Sequence, residues 1–133
     1  MDKETVRGYI IALIGSFTYD PHLLDELVEI LAKSGREMAF YRLMTVRIMQ
    51  LLSERIHAVR LEEFENLGGG LYSMHFASKG FNVRILYSFL PNGEPVFLRA
   101  FNERAGKRKT DYSSQIPIAA SRLKAMKGKK EHE

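Results

Sequence analysis

The side chains of this chain that could do chemistry are mostly cations. A basic run, Arg104-Ala105-Gly106-Lys107-Arg108-Lys109, lies inside the apparent domain, and a second, Lys124 to Lys130, lies near the C-terminus. Residues 1–66 carry 8 Lys/Arg against 11 Asp/Glu, a net of −3, whereas residues 67–133 carry 12 against 5, a net of +7. The formal charge of +4 hides this asymmetry. A basic half of this kind points to contact with a polyanion, because arginine forks and lysine ammonium groups match phosphate oxygens. The last stretch, about 127–133, reads as a solvated basic tail.

Other chemistries are thinly represented. There is no cysteine, which excludes disulfides, thiolate metal sites and cysteine nucleophiles and fits a reducing cytoplasm. His75 is the one histidine within a strand-like run; a base and a hydrogen-bonded structural residue are both open readings. His22, His57 and His132 have no partners at ligand spacing, so no metal site is expected. Gly68-Gly69-Gly70 invites a phosphate-loop reading, but no Lys-Ser or Lys-Thr follows and a strand comes next, so a turn fits better. No serine-nucleophile elbow is present.

The elements that must position these residues fit one domain over 1–133, since a chain of 133 residues has the size of one domain and not of two independent ones. The densest apolar run, Tyr9 to Ile14, is too short to span a bilayer, and no signal-peptide layout is visible. Val6 to Tyr19, apolar and interrupted by Gly8 and Gly15, reads as a strand, with a short buried helix as the alternative. Asp20-Pro21 is a helix start, and Leu23, Leu24, Leu27, Val28, Ile30 and Leu31 follow on one side, up to Ser34-Gly35. Ser34 and Glu37 have capping-box spacing for a second helix to about His57, burying Tyr41, Met44, Ile48, Leu51, Leu52 and Ile56. The short joint predicts an antiparallel helical hairpin. Beyond an acidic approach, Glu62 to Glu65, and the glycine turn come three strands, Leu71–Phe76, Phe81–Leu90 and Val96–Phe101. Turn signals at Ser78-Lys79-Gly80 and Pro91-Asn92-Gly93 join them into an antiparallel meander. A last helix fits 114–126, with Ile118, Ala119, Leu123 and Met126 inward. The fold class is α+β: an N-terminal strand and a helical hairpin packed on a small antiparallel sheet, in the order β-α-α-β-β-β-α.

Three runs in order, Leu67 to Phe76, Val83 to Phe89 and Val96 to Phe101, resemble the phage-derived, HigB-like branch of the RelE/ParE toxin superfamily. The resemblance covers residues 20–126 in element order and 67–112 in local motif. It implies a toxin of a bacterial type II toxin–antitoxin pair. Such a toxin is an mRNA interferase that cuts mRNA on the ribosome and is held in check by a cognate antitoxin, here of helix-turn-helix type. Cleavage in the family looks like attack of a ribose 2′-oxygen on the adjacent phosphate. That chemistry needs no metal or cofactor, only cations around the transition state and groups that move two protons. The alternatives are a catalytically inactive RelE-fold regulator that binds nucleic acid or protein, and a ParE-like gyrase inhibitor.

The resemblance also implies site residues. Arg84 matches the arginine that helps hold the scissile phosphate. Arg99 stands where many relatives have histidine, so it can bind phosphate but not act as a base. Arg104 and Lys107 are the expected catalytic cations after the last strand of the meander. Lys79, Arg108 and Lys109 are expected to contact RNA, and Tyr112 to stack on a base or move a proton. Glu103 and Ala105-Gly106 break the usual Lys-Lys-Thr pattern there. The expectation is one concave face gathering Arg84, Arg99 and the 104–109 cations, covered in the complex by an acidic segment of the antitoxin.

Overall fold

The computed structural model describes residues 1–132, with the side chains of 129–132 left aside. The N-terminal run forms helix α1 (Lys3–Ile14) in place of the expected strand. Asp2 caps it, its carboxylate accepting from the Thr5 N–H at 2.8 Å. Val6, Ile10 and Ile14, four residues apart, are fully buried. Gly8 faces solvent, where an added Cβ would meet nothing. A mid-helix glycine costs about 1 kcal/mol, but three buried branched side chains return about 1.5–3 kcal/mol each, so packing wins. Gly15 ends the helix, donating its N–H to the Ile11 carbonyl at 2.7 Å.

Only the tail of that run is extended. Strand β1 (Thr18–Tyr19) leads into the Asp20 cap and helix α2 (Pro21–Leu31). Helix α3 (Glu37–Glu54) follows, without the capping box expected at its start. Ser34 Oγ accepts from the Arg36 N–H instead, and the Glu37 carboxylate pairs with the N-terminal ammonium group at 2.8 Å. The helix stops short of His57, where Arg55 takes a left-handed φ of 53° and a 3-10 segment, Arg55–Arg60, begins. Ile56, in that segment, is exposed, and so is Leu52, on the outer side of α3. The hairpin is also different from expectation: α2 and α3 each pack on α1, so the extra helix takes up the apolar faces the two were expected to share.

The sheet has five strands rather than the expected four, in the order β1-β5-β4-β3-β2. Strands β3 (Leu71–Ser78), β4 (Phe81–Phe89) and β5 (Pro95–Asn102) are the expected meander. The acidic approach is itself an edge strand, β2 (Phe64–Gly68), paired antiparallel to β3. At the other edge β1 runs parallel to β5, making the sheet mixed. The β2–β3 turn needs its glycines: Gly68, Gly69 and Gly70 have φ of 85°, 61° and 82°, values that side chains resist.

Alternation divides the sheet between two cores. Val83, Ile85 and Tyr87 join the larger core under α1, α2 and α3, with Phe40, Met44 and Phe76. Leu86, Leu71, Val96, Leu98 and Phe101 form a smaller core against helix α4 (Arg108–His132). This helix starts six residues before the expected 114 and continues through the expected basic tail to His132; Glu133 and the side chains from 129 lie outside the described residues. Ala119, Leu123 and Met126 pack as expected, with Tyr112 and Ile116 beside them, while Ile118 stays half-buried outside the cluster. The chemistry-bearing residues of β3, β4 and β5 that are not in the larger core lie on this α4 face.

Candidate functional site

On the α4 face, His75 of β3 and Arg84 of β4 are direct cross-strand partners. They line an open cleft of about 500 Å³ with Glu62, Glu63 and Glu65 from the β2 edge and Arg108 from the first turn of α4. Both cations are already engaged. Arg84, buried to 6% exposure, donates from Nε to Glu103 Oε1 at 2.7 Å. Its Nη1 lies 4.0 Å from Glu65 Oε1. Arg108 donates to the same Glu65 oxygen at 2.5 Å. Both guanidinium groups lie over the Tyr112 ring, 5.3 and 5.8 Å from its centroid. The Tyr112 hydroxyl is 3.0 Å from both Glu65 Oε1 and Ser73 Oγ.

A chain of hydrogen bonds sets the histidine tautomer. Asn82 Nδ2 donates to Glu103 Oε2 at 3.1 Å, so its carbonyl oxygen faces His75 Nε2 at 2.5 Å. That nitrogen must then carry a proton. Nδ1 of the neutral ring is left as the basic atom, 3.3 Å from Glu63 Oε2. When Nδ1 takes a proton, Glu63 is in place to stabilise the imidazolium. Burial pushes the Glu103 carboxyl up, but the hydrogen bond and charge of Arg84, with Asn82 and His75, outweigh it and hold this group below the usual carboxylate range. The hydrogen bond to Glu65 raises the Arg108 guanidinium, and burial pushes the Tyr112 phenol up.

The other expected site residues are elsewhere. Arg99 donates to Glu26 of α2 and, from Nε, to Gln115 of α4 at 2.5 Å. Arg122 of α4 reaches the same Glu26 at 2.8 Å and Asp20 at 3.6 Å. This second network ties α2, β5 and α4 together. Arg104 closes a loop onto the start of α4: its backbone N–H and its guanidinium both donate to Asp111, at 2.8 and 2.6 Å. Those bonds hold the Asp111 carboxyl below its ordinary range. Lys79, Lys107 and Lys109 are exposed, and among the described residues none has a carboxylate partner.

The expected gathering is therefore divided. Arg84 and Arg108 line one cleft and Tyr112 is buried beneath their guanidinium groups, while Arg99 and Arg104 are each held by carboxylates of their own. Sequence reasoning missed Glu63, Glu65 and Asn82, and it took Glu103 only as a break in a pattern. The spacing of Glu63 and Glu65 did carry a signal, since two residues apart on a strand means one face. Among the described residues no group of three His, Asp or Glu side chains is arranged to hold a metal ion, and no helix is long and apolar enough to cross a membrane. Compared with family models, curated proteins and solved structures, the chain matches none.

Proposed function

We propose that this chain is an endoribonuclease of the RelE/HigB toxin type, acting on mRNA in the cytoplasm and neutralised by a cognate helix-turn-helix antitoxin. The observation that carries the reading is one open cleft in which a histidine–carboxylate pair, His75 and Glu63, stands beside two guanidinium groups, Arg84 and Arg108. The proton of a ribose 2′-hydroxyl passes to His75 Nδ1 as the 2′-oxygen attacks the adjacent phosphorus. The bond from phosphorus to the 5′-oxygen breaks, leaving a 2′,3′-cyclic phosphate, and the departing oxygen takes a proton from water, while the proton on His75 returns to solvent. Arg84 and Arg108 carry the charge that builds on the phosphoryl oxygens. Glu65 competes for both, so the substrate phosphate takes over its place on Arg108, the more exposed of the pair. Lys107, next to Arg108 in the chain, is exposed and without a carboxylate partner among the described residues, and is assigned to the leaving group.

Induced expression in a bacterium tests this. Growth arrest, with primer extension revealing new mRNA ends, is the expected result. Lys107→Ala, on the surface and harmless to folding, should weaken both effects, and His75→Ala should cut cleavage by about 10²-fold or more. One observation favours a second reading, a RelE-fold regulator that binds without cutting: Arg84 is buried against Glu103 and lacks the exposure of a free phosphate clamp. Arrest with intact transcripts and damaged DNA would indicate gyrase as the target, and no arrest at all would leave the regulator.

A further inference from the structure

A second cleft, of about 510 Å³, opens at the other end of α4. Its floor is apolar, from Leu71, Ala120 and Leu123, and its rim carries Lys124, Lys127 and the backbone of Gly69. The lysines are three residues apart on one helix face. Neither has a carboxylate partner among the described residues, and no acidic side chain lines the cleft. The glycine turn beside it is held firmly, with Gly68 N–H donating to Asn66 Oδ1 at 2.8 Å and Ser88 Oγ donating to the Gly70 carbonyl at 2.6 Å. Cβ atoms added at the three glycines would meet nothing within 4 Å. Their lack of side chains serves the turn and leaves its backbone open to close approach by a ligand.

Both clefts reach strand β3. Leu71, Ser73 and His75 alternate along β3 on the α4 face, with Leu71 in one cleft and His75 in the other. Four residues of strand separate them by about 13 Å, with Ser73 between them buried beneath Tyr112, so an RNA strand that joins the clefts runs over the surface around α4 and needs several nucleotides. We infer that the glycine–lysine cleft is a second RNA subsite, binding a nucleotide several positions along the strand from the one at His75. Its base covers the apolar floor and its phosphates meet Lys124 and Lys127, the combination of apolar platform and cationic groove that single strands require. The inference rests on the RNA reading above and adds where, outside the cleavage cleft, the strand is held.

Fluorescence anisotropy with uncuttable 2′-O-methyl oligoadenylates of about three and about eight nucleotides tests it on the full chain. The longer probe should lose about tenfold in affinity in Lys124→Ala/Lys127→Ala, and its log–log salt slope should flatten by about 1.4, the value for two phosphate contacts on a single strand. The shorter probe, held at Arg84 and Arg108, should bind this variant as it binds the wild type. Lys124→Arg/Lys127→Arg should restore the longer probe. If the wild type binds the longer probe and the alanine pair binds it equally well, the subsite is wrong and the RNA reading stands. If the wild type binds neither probe and cuts no transcript, both fall. A polyglutamate peptide that needs the lysine pair, where RNA does not, would overturn the inference in favour of a protein partner.

Discussion

The arginines and the lysines along α4 are used in opposite ways. At its start, Arg104 and Arg108 are each held by a carboxylate, and Arg84 behind them is held by Glu103. Toward its end, Lys124 and Lys127 rim a cleft that has no acid in its lining. The contrast extends over the described residues: every arginine except Arg36 and Arg42 has a carboxylate partner, whereas among the lysines only Lys3 does. The planar, weakly hydrated guanidinium suits partly buried pairs, and the strongly hydrated ammonium stays in water. Positive charge in the second half of the chain thus has two uses. Arginine builds the fold and shapes one cleft, while lysine remains available to an outside polyanion.

The largest effect should come from breaking the arginine side of this contrast where it is most structural. Glu26 accepts from Arg99, Arg122 and the Ala100 backbone N–H. Glu26→Ala leaves two half-buried guanidinium groups without their shared partner. A loss of about 3 kcal/mol is expected, in the range for one member removed from a buried ion network, and urea unfolding measures it. A loss below about 0.5 kcal/mol, the level of an exposed pair, would mean that the arginines do not hold the fold, and the contrast between arginine and lysine would break.

Which cation serves which use depends on distance along the chain. The starts of α2 and the limits of β3, β4 and β5 were readable to within a few residues, because caps and turns are local chemistry: Asp20-Pro21, Lys79-Gly80 and Asn92-Gly93 act on their neighbours. Helix α1 was misread because a local penalty, glycine in a helix, is overruled by the burial of Val6, Ile10 and Ile14 against partners far away in the chain. Strand β2 was missed because Glu62 to Glu65 looks like a solvated loop, yet an edge strand tolerates such charge well. The division of the cations was least accessible. Arg108 finds its carboxylate 43 residues away, Arg99 73 and Arg122 96. No spacing rule reaches that far, so a run such as 104–109 could be recognised as basic without showing which members were already neutralised.

Acid sharpens the same comparison. Glu103 and Asp111 are both held below their ordinary range by arginine partners. A carboxyl depressed in the folded state adds stability that is complete above its unfolded pKa, about 3.9 for Asp and 4.3 for Glu, and that is lost as pH falls through the lower folded value. Denaturant midpoints should therefore hold near neutrality and fall below about pH 4. Glu103→Gln and Asp111→Asn should each start lower at pH 7 and lose less on acidification. An unchanged acid slope in both variants would show that these pairs do not couple to folding.

The smallest effect should be found at the lysine end, and its smallness is the point. Lys124 and Lys127 are exposed, their ammonium groups have no carboxylate partner among the described residues, and the apolar contacts of this turn belong to Leu123 and Met126. Alanine also has the higher helix propensity, by a few tenths of a kcal/mol at most against lysine. The double variant Lys124→Ala/Lys127→Ala should unfold within about 0.5 kcal/mol of the wild type. Stability unchanged while RNA affinity falls would separate binding from folding at these two positions. A loss of more than about 1 kcal/mol would mean that the lysines hold α4 in place, as the arginines do at its start, and a fall in affinity would then say nothing specific about RNA.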